Sequence, residues 1–401
     1  MPKVGSLLSL EYGSALPAER RSGYGFPVYG SNGEVGRHDV PLIEGPGIIV
    51  GRKGSVGKVC WGRESFWPID TTYWVKCSAE DRRWVYWLLS RLPLGQLDTS
   101  TGVPGLNRND VYDLDVYEPS SEEKAVVANV LDTLDTTLRQ TEALIDKLKL
   151  VKQGLLHDLL TRGIDANGEL RPPQSEAPGL YKDSVLGWIP REWIVEKLPD
   201  LALGGLMNGV FKEPKRVGSG VALVNVADLY RGQNIDLGRC ERFAATSVEV
   251  EKFGAKRGDI FFTRSSLKLE GIAQTSFLDD EADDAVFECH VMRLRPNPAK
   301  AVPRFLKEWC VAQRAREHFM GHAKQVTMTT ISQDGIASLP CPTPPLTEQL
   351  EAVKRISAID GRVATEAENL RKLLLLKSGL MTDLLTGRVR VTPLLQEGTR
   401  P

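Results

Sequence analysis

Two proline-free stretches of this chain carry a seven-residue hydrophobic rhythm. Across residues 121–161, alternating steps of three and four link Leu131, Leu134, Leu138, Thr141, Ile145, Leu148, Lys152, Leu155 and Leu159. That spacing is the seam of an amphipathic helix built to pair with another. Residues 346–386 repeat it through Ile356, Ile359, Val363, Glu366, Leu370, Leu373, Lys377, Leu380 and Leu384. Both seams turn polar at the same two steps, Thr141/Glu366 and Lys152/Lys377. Pro119 and Arg162-Gly163 bound the first stretch, and Pro344-Pro345 and Gly387 the second. Ser120-x-x-Glu123 fits a capping box. Thr347 followed by Glu348 predicts an N-cap with an acidic first turn.

The correspondence is an internal repeat. Residues 106–163 and 331–388 align without a gap at an offset of 225, pairing Pro119 with Pro344, Glu123 with Glu348 and Asp135 with Asp360. A solenoid unit runs roughly 20–50 residues, so this period instead marks a duplicated half: a globular part followed by a helix. Each helix of about 40 residues is ~60 Å long. A duplicated unit that pairs with its copy is naturally related to it by a pseudo-twofold axis, which makes the helices antiparallel and puts the globular parts at opposite ends. The competing reading is a coiled coil that only dimerises the protein. Lys152 and Lys377 either fix the register of the pair or snorkel to solvent.

Outside the helices the pattern changes to short apolar runs between glycine-rich turns. Residues 47–50, 56–60 and 71–75 read as strands and 81–90 as a short helix. In the second half 221–226, 259–263 and 291–295 read as strands and 305–319 as one helix. The predicted fold is α+β: two globular mixed α/β parts separated by two long helices pairing as an antiparallel coiled coil. The boundaries are 1–118, a helical segment 119–163, a Pro-rich surface linker 164–187, a second globular part 188–343, a helical segment 344–391 and a tail 392–401. The globular parts share little sequence, while the helices match well.

Apolar residues make up 41% and charged residues 26%, as in ordinary soluble domains. No apolar run approaches a membrane span, the N-terminus lacks the shape of a signal peptide, and six scattered cysteines without a CxxC pair fit reduced thiols. A cytoplasmic protein is expected. Net charge is −1, so any nucleic-acid contact must rest on local patches. No catalytic site is expected. Gly51–Lys58 fails as a P-loop because its first glycine is misplaced and Val59 stands where Ser or Thr must hold Mg²⁺. His318 and His322 have ligand spacing but no zincin glutamate, and the acidic run 279–284 lacks the glycine and terminal glutamate of a calcium loop. Neither a G-x-S-x-G elbow nor an Asn-Pro-Pro-Tyr/Phe methyltransferase motif is present.

The chain resembles the specificity subunits of type I restriction–modification systems over almost its whole length. The paired endings 154–163 and 379–391 carry the resemblance best. Residues 342–349 resemble the opening of the family's conserved helix, and 187–193 the lead-in to its second target recognition domain. Residues 29–33, 45–57 and 67–72 resemble one class of recognition domain, and 224–229 with 256–266 another. The resemblance implies a non-catalytic DNA-reading subunit. Each recognition domain would read half of a bipartite double-stranded site, while the conserved spacer helices set the gap and dock two modification subunits. Those subunits would use S-adenosylmethionine, and restriction subunits using ATP and Mg²⁺ would join them. No cofactor or metal is expected on this chain. The candidate DNA-contacting residues are Asn32, Arg52, Lys53, Ser55, Lys58, Thr71 and Thr72 in the first domain. In the second they are Lys215, Arg216, Arg264, Ser265, Ser266, Lys268 and Lys324. Their donors, acceptors and cations suit base edges and phosphates. The alternative is a non-DNA scaffold joining two binding modules through the intramolecular coiled coil.

Overall fold

Both long helices form where the heptad pattern places them, as Ser121–Thr161 and Leu346–Leu385. The computed structural model describes residues 1–97, 105–281, 284–325 and 327–393. The chain divides into two compact units, Met1–Ile145 with Thr365–Pro401, and Asp146–Ala364. Each helix is therefore shared between the units, and each globular part keeps a piece of both helices.

In the first unit a four-stranded antiparallel sheet runs in the order Ser9–Tyr12, Thr72–Lys76, Gly47–Gly51, Val59–Gly62. Gly47–Gly51 is buried along its whole length, which its run of isoleucine and valine requires. Trp84, Trp87 and Leu88 of the helix Arg82–Arg91 pack with Ile48 and Val50 of this sheet. The same core takes in Val127 and Leu131 of the first long helix and Leu384 and Leu385 of the second. The two helices run antiparallel here, since Asp135 meets Lys377 while Glu123 meets Arg390.

The second unit repeats this plan. Its sheet runs Ala202–Asn208, Val291–Pro296, Ile260–Thr263, Thr275–Phe277, in the same order and all antiparallel. Each unit also carries a three-stranded sheet with one antiparallel and one parallel pairing: Gly33–His38, Phe26–Gly30 and Trp67–Pro68 in the first, and Glu241–Phe243, Val217–Val224 and Ala285–Phe287 in the second. The short helices Arg108–Tyr112 and Gln333–Ala337 occupy equivalent places 225 residues apart. Each is capped by the side chain before it, Asn107 to the Asn109 amide at 3.0 Å and Ser332 to the Gly335 amide at 3.1 Å. The two globular parts are thus variants of one fold, although their strand sequences do not show it.

Every seam position is buried or half-buried. The polar step is answered by salt bridges at repeat-equivalent positions, Lys152 to Asp360 and Lys377 to Asp135, both 2.6 Å. A fully buried leucine contributes roughly 1.5–3 kcal/mol, and a partly exposed ion pair about 0–1. The leucines therefore supply the strength of the pair, and the lysines are matched to partners across it.

The start of each helix is held by a residue that follows the other. The predicted Ser120–Glu123 capping box forms, with Ser120 N–H donating to Glu123 Oε2 at 3.2 Å and Glu123 N–H to Ser120 Oγ at 3.3 Å. Arg390 then donates twice to the Glu123 carboxylate, both at 3.0 Å, and the Thr392 hydroxyl donates once at 2.7 Å. In the second unit Glu348 accepts from Arg171 at 2.6 and 3.1 Å, from the Ile164 amide at 2.7 Å and from Trp193 Nε1 at 3.2 Å. Gly163 sits at φ +64°, and a Cβ there would lie 2.0 Å from Glu348 Oε1, so this corner requires glycine.

Three expectations are corrected. Residues 164–187 are more than a surface linker: the Pro-rich 172–178 has no buried residue, but Ile164, Arg171, Tyr181 and Leu186 are buried. Glu348 recruits Arg171, and Tyr181–Lys182 pairs with Ile189–Pro190. The second long helix begins at Leu346, so Thr347 lies inside it rather than at its N-cap. The segment 305–319 is two helices, Pro303–Val311 and Gln313–Gly321, broken where Ala312 is extended. The break lets Trp309 and Cys310 on one side and Ala315 and Phe319 on the other enter the same core.

A pH-dependent stability follows from the Glu123 contact. The Arg390 guanidinium, with Thr392, holds the Glu123 carboxyl down from an ordinary 4.5 to about 2. A lowered folded-state value stabilises above the unfolded value and is lost as pH falls through the folded one. Thermal melts of wild type and Glu123→Gln should differ at pH 7, and the gap should close between about pH 4.5 and 2. A gap that stays constant over that range would show the carboxylate charge is not what holds this corner.

Candidate nucleic-acid interface

In the first unit, three turns meet at one end of the main sheet. Arg52 and Lys53 continue the strand Gly47–Gly51, and their amides donate to Thr71 O at 2.9 and 3.1 Å. The Arg52 guanidinium donates to Asp70 O at 3.1 and 2.6 Å and lies 5.2 Å from the Tyr12 ring and 5.9 Å from the Tyr73 ring. Lys58 donates to Asn32 at its carbonyl oxygen, 2.8 Å, and at Oδ1, 2.7 Å. The Ser55 amide lies 3.5 Å from Ser31 Oγ. Lys53 is exposed and Thr71 half-buried. These six residues are brought together. Thr72 is not part of the surface: it is fully buried, and its hydroxyl closes a turn on Ile69 O at 2.8 Å. The Gly51–Lys58 loop folds on itself, with Gly57 N–H to Gly51 O and Gly51 N–H to Lys58 O both at 2.8 Å. It therefore spends on itself amides that a phosphate cradle would need.

In the second unit Arg264 leaves the strand Ile260–Thr263. Its amide donates to His290 O at 2.9 Å, and its carbonyl accepts from Ile331 N at 3.0 Å. Ser265 and Ser266 pair with Thr330 and Thr329, which pair in turn with Lys324 and Gln325. Arg264, Ser265 and Lys324 are thus gathered on one small sheet, with exposed Lys268 two residues beyond Ser266. Ser266 is buried, and its oxygen accepts from the Lys268 amide at 3.2 Å. Lys215 and Arg216 lie instead in a 3-10 turn, Pro214–Arg216, that leads into the three-stranded sheet. Lys215 is exposed. Arg216 is engaged internally by Glu249, by Ala244 O and by the Phe243 ring at 4.5 Å, and it holds the Glu249 carboxyl at about 2. It is paired rather than a free cation.

The two loops are the same place in the two folds. The Arg52 amide bonds Thr71 O and the Arg52 carbonyl accepts from Leu106 N. The Arg264 amide bonds His290 O and the Arg264 carbonyl accepts from Ile331 N. Leu106 and Ile331 are 225 residues apart. Beside these arginines lie residues that sequence reasoning did not single out: Tyr12 and Arg108 in the first unit, Asn208, His290 and Gln333 in the second. Arg108 and Gln333 fall within the aligned repeat, which was the available signal.

The residues weighed as metal ligands have other partners. The His318 and His322 rings stack at 4.1 Å, and His318 Nε2 meets Ser338 Oγ at 3.1 Å. Burial, then His322, lowers the His318 pKa. The donor atoms of Glu288, Cys289 and His290 lie within 4.8 Å of one another, a grouping accounted for by the 3.0 Å contact of His290 Nδ1 with Glu288 Oε2. In the acidic run, Glu281 meets Arg257 at 3.2 Å; Ala282 and Asp283 lie outside the described residues.

No protein-family model matches the chain. The MjaVIII specificity subunit of a type I restriction enzyme from Methanocaldococcus jannaschii is 21% identical over 73% of this chain and 66% of its own length. The putative MjaX specificity subunit of the same organism is 25% identical over 51% of this chain and 48% of its own. The EcoDI specificity subunit of Escherichia coli is 21% identical over 72% and 65%. The chain thus spans about half to two thirds of the length of these relatives. The S subunit of a type I restriction–modification system from M. genitalium superposes with a TM-score of 0.60 at 14% identity, covering 96% of this chain and 95% of that one. A chain from a structure addressing complex assembly and conformational transition of the type I R-M system gives 0.53, at 14% identity and 96% and 97% coverage. The chain is thus similar in sequence to type I specificity subunits and shares the fold of solved S subunits.

Proposed function

We propose that this chain is the DNA-reading subunit of a type I restriction–modification complex. The observation that carries the reading is the recurrence, at the same register of the same sheet in both units, of an arginine-bearing loop. One fold used twice with different loop chemistry is what a bipartite target with two different halves demands. Lys53 in the first loop and Arg264 and Lys268 in the second are exposed cations suited to phosphates and base edges. The catalysis would lie in partners: modification subunits with S-adenosylmethionine, and restriction subunits with ATP and Mg²⁺. Among the described residues no helix is long and apolar enough to cross a membrane. The scaffold alternative predicts no sequence-dependent duplex binding.

The helices support two copies of one partner. Leu150 and Val151 are 68% and 49% exposed, and their counterparts 225 residues on, Leu375 and Leu376, are 61% and 51% exposed. Equivalent apolar patches on both helices fit two identical modification subunits. The helices are also proposed to set the length of the unread spacer.

Three outcomes are expected. In binding titrations on the complex with its modification subunit, Lys53→Ala and Lys268→Ala should each lower the slope of log affinity against log salt by about one. Unchanged slopes would remove these lysines from the phosphate contacts. Native mass spectrometry should find two modification subunits per chain, and one after Leu375→Glu with Leu376→Glu. A one-to-one wild-type complex at saturating partner would contradict twin docking. Inserting seven residues after Thr141 and seven after Glu366 keeps the heptad phase and adds ~10.5 Å of helix. At ~3.4 Å per base pair the preferred spacer should grow by about three; an active variant with an unchanged spacer would refute the ruler.

A further inference from the structure

The equivalence of the two sheets extends one strand further, to a position where their chemistry differs. Tyr12 pairs with Tyr73, which pairs with Val50, two residues before Arg52. Asn208 pairs with Met292, which pairs with Phe262, two residues before Arg264. Tyr12 and Asn208 are therefore the same site in the two folds. Each is met by the first residue of the short capped helix that lies at the same step of the repeat. The Arg108 guanidinium sits 5.2 Å from the Tyr12 ring, and Gln333 Nε2 donates to Asn208 Oδ1 at 2.5 Å.

We infer that these paired positions, Tyr12 with Arg108 and Asn208 with Gln333, are base-reading subsites, the first for guanine and the second for adenine. The inference rests on the proposed DNA-reading function and deepens it. Arg108 makes no ion pair with a described residue, and its Nη1 reaches Leu10 O across a long 3.5 Å contact. Its guanidinium therefore retains donors for guanine O6 and N7, which a guanidinium fork matches. Tyr12, 53% exposed, supplies a flat face that fixes the fork's plane. In the second unit Asn208 Nδ2 is tied to Cys289 O at 3.1 Å, and Asn208 Oδ1 takes one Gln333 N–H. Exposed Gln333 is left with its second amide N–H and its Oε1, a donor and an acceptor side by side. That is the complement of adenine N7 and N6 in the major groove. The capped first turn of each short helix holds these side chains by its backbone, so that different residues can be mounted on one frame.

The test is methylation-site sequencing of the full chain in complex with its modification subunit, for wild type and for Arg108→Ala, Arg108→Lys, Gln333→Ala and Gln333→Glu. Thermal melts accompany it, and the lysine and glutamate variants keep a long side chain where alanine fails to fold. Both Arg108 variants should lose roughly 5- to 150-fold discrimination at one guanine of the first unit's half-site and leave the other half-site unchanged. Arg108→Lys should do so while retaining overall DNA affinity. Both Gln333 variants should lose one adenine of the second half-site only. Folded variants that keep every wild-type base preference would overturn the inference while leaving the DNA-reading function standing. So would a wild-type target with no guanine in the first half-site. A wild type without any bipartite preference would overturn both.

Discussion

The antiparallel pairing of two helices, of 41 and 40 residues, is the constraint on which everything else depends. The main core of each globular part runs on into the helices. Val127, Leu131, Leu384 and Leu385 complete one core, and Leu159, Leu160, Ala352 and Ile356 complete the other. Register along the pair therefore decides whether both units fold. The leucine seam could slide by a heptad with little loss, because one leucine layer resembles the next. A slip would nevertheless break both Lys152–Asp360 and Lys377–Asp135 and withdraw the helix side chains that complete the two cores. The carboxylates of Glu123 and Glu348 then bind the segment that follows the opposite helix. Arg171 and Glu348 are both almost fully buried, so removing either partner would cost about 3–5 kcal/mol.

With the helices fixed, the rest of each half is free to vary. The four-stranded sheets keep their strand order, and the short capped helix before each long helix keeps its place. Each unit also keeps a three-stranded sheet of one antiparallel and one parallel pair. What differs lies at the loop end of the sheet, where an aromatic–guanidinium pair in one unit stands where an amide pair stands in the other. A constant frame carrying interchangeable polar groups is a physical basis for two readers of different specificity in a single chain.

Much of the helical half of the molecule was legible in the sequence, because heptads, the Ser120–Glu123 capping box and a gapless repeat are local or strictly periodic signals. The partners of Lys152 and Lys377 were visible only as repeat mates, Asp135 with Asp360, and became salt bridges once the antiparallel register was known. The equivalence of the globular parts was not legible. It resides in strand order and backbone hydrogen bonds, which tolerate replacement of Tyr12 by Asn208 or of Thr71 by His290. The Pro-rich segment 164–187 looked like a linker because composition cannot reveal that Arg171 meets a carboxylate 177 residues away. Thr72 and Arg216 looked like ligand contacts for the converse reason. A hydroxyl and a guanidinium are equally suited to an internal carbonyl or carboxylate, and only the fold decides between these and solvent.

The central claim is that one chain reads two separate blocks of sequence. It is tested most directly by selection from a random pool of duplex oligonucleotides, using the wild-type chain with its modification subunit. The account predicts an enriched target of two short defined blocks, different from each other, separated by a gap of fixed length with no base preference. A single contiguous block, two identical blocks, or no enrichment above the starting pool would contradict it.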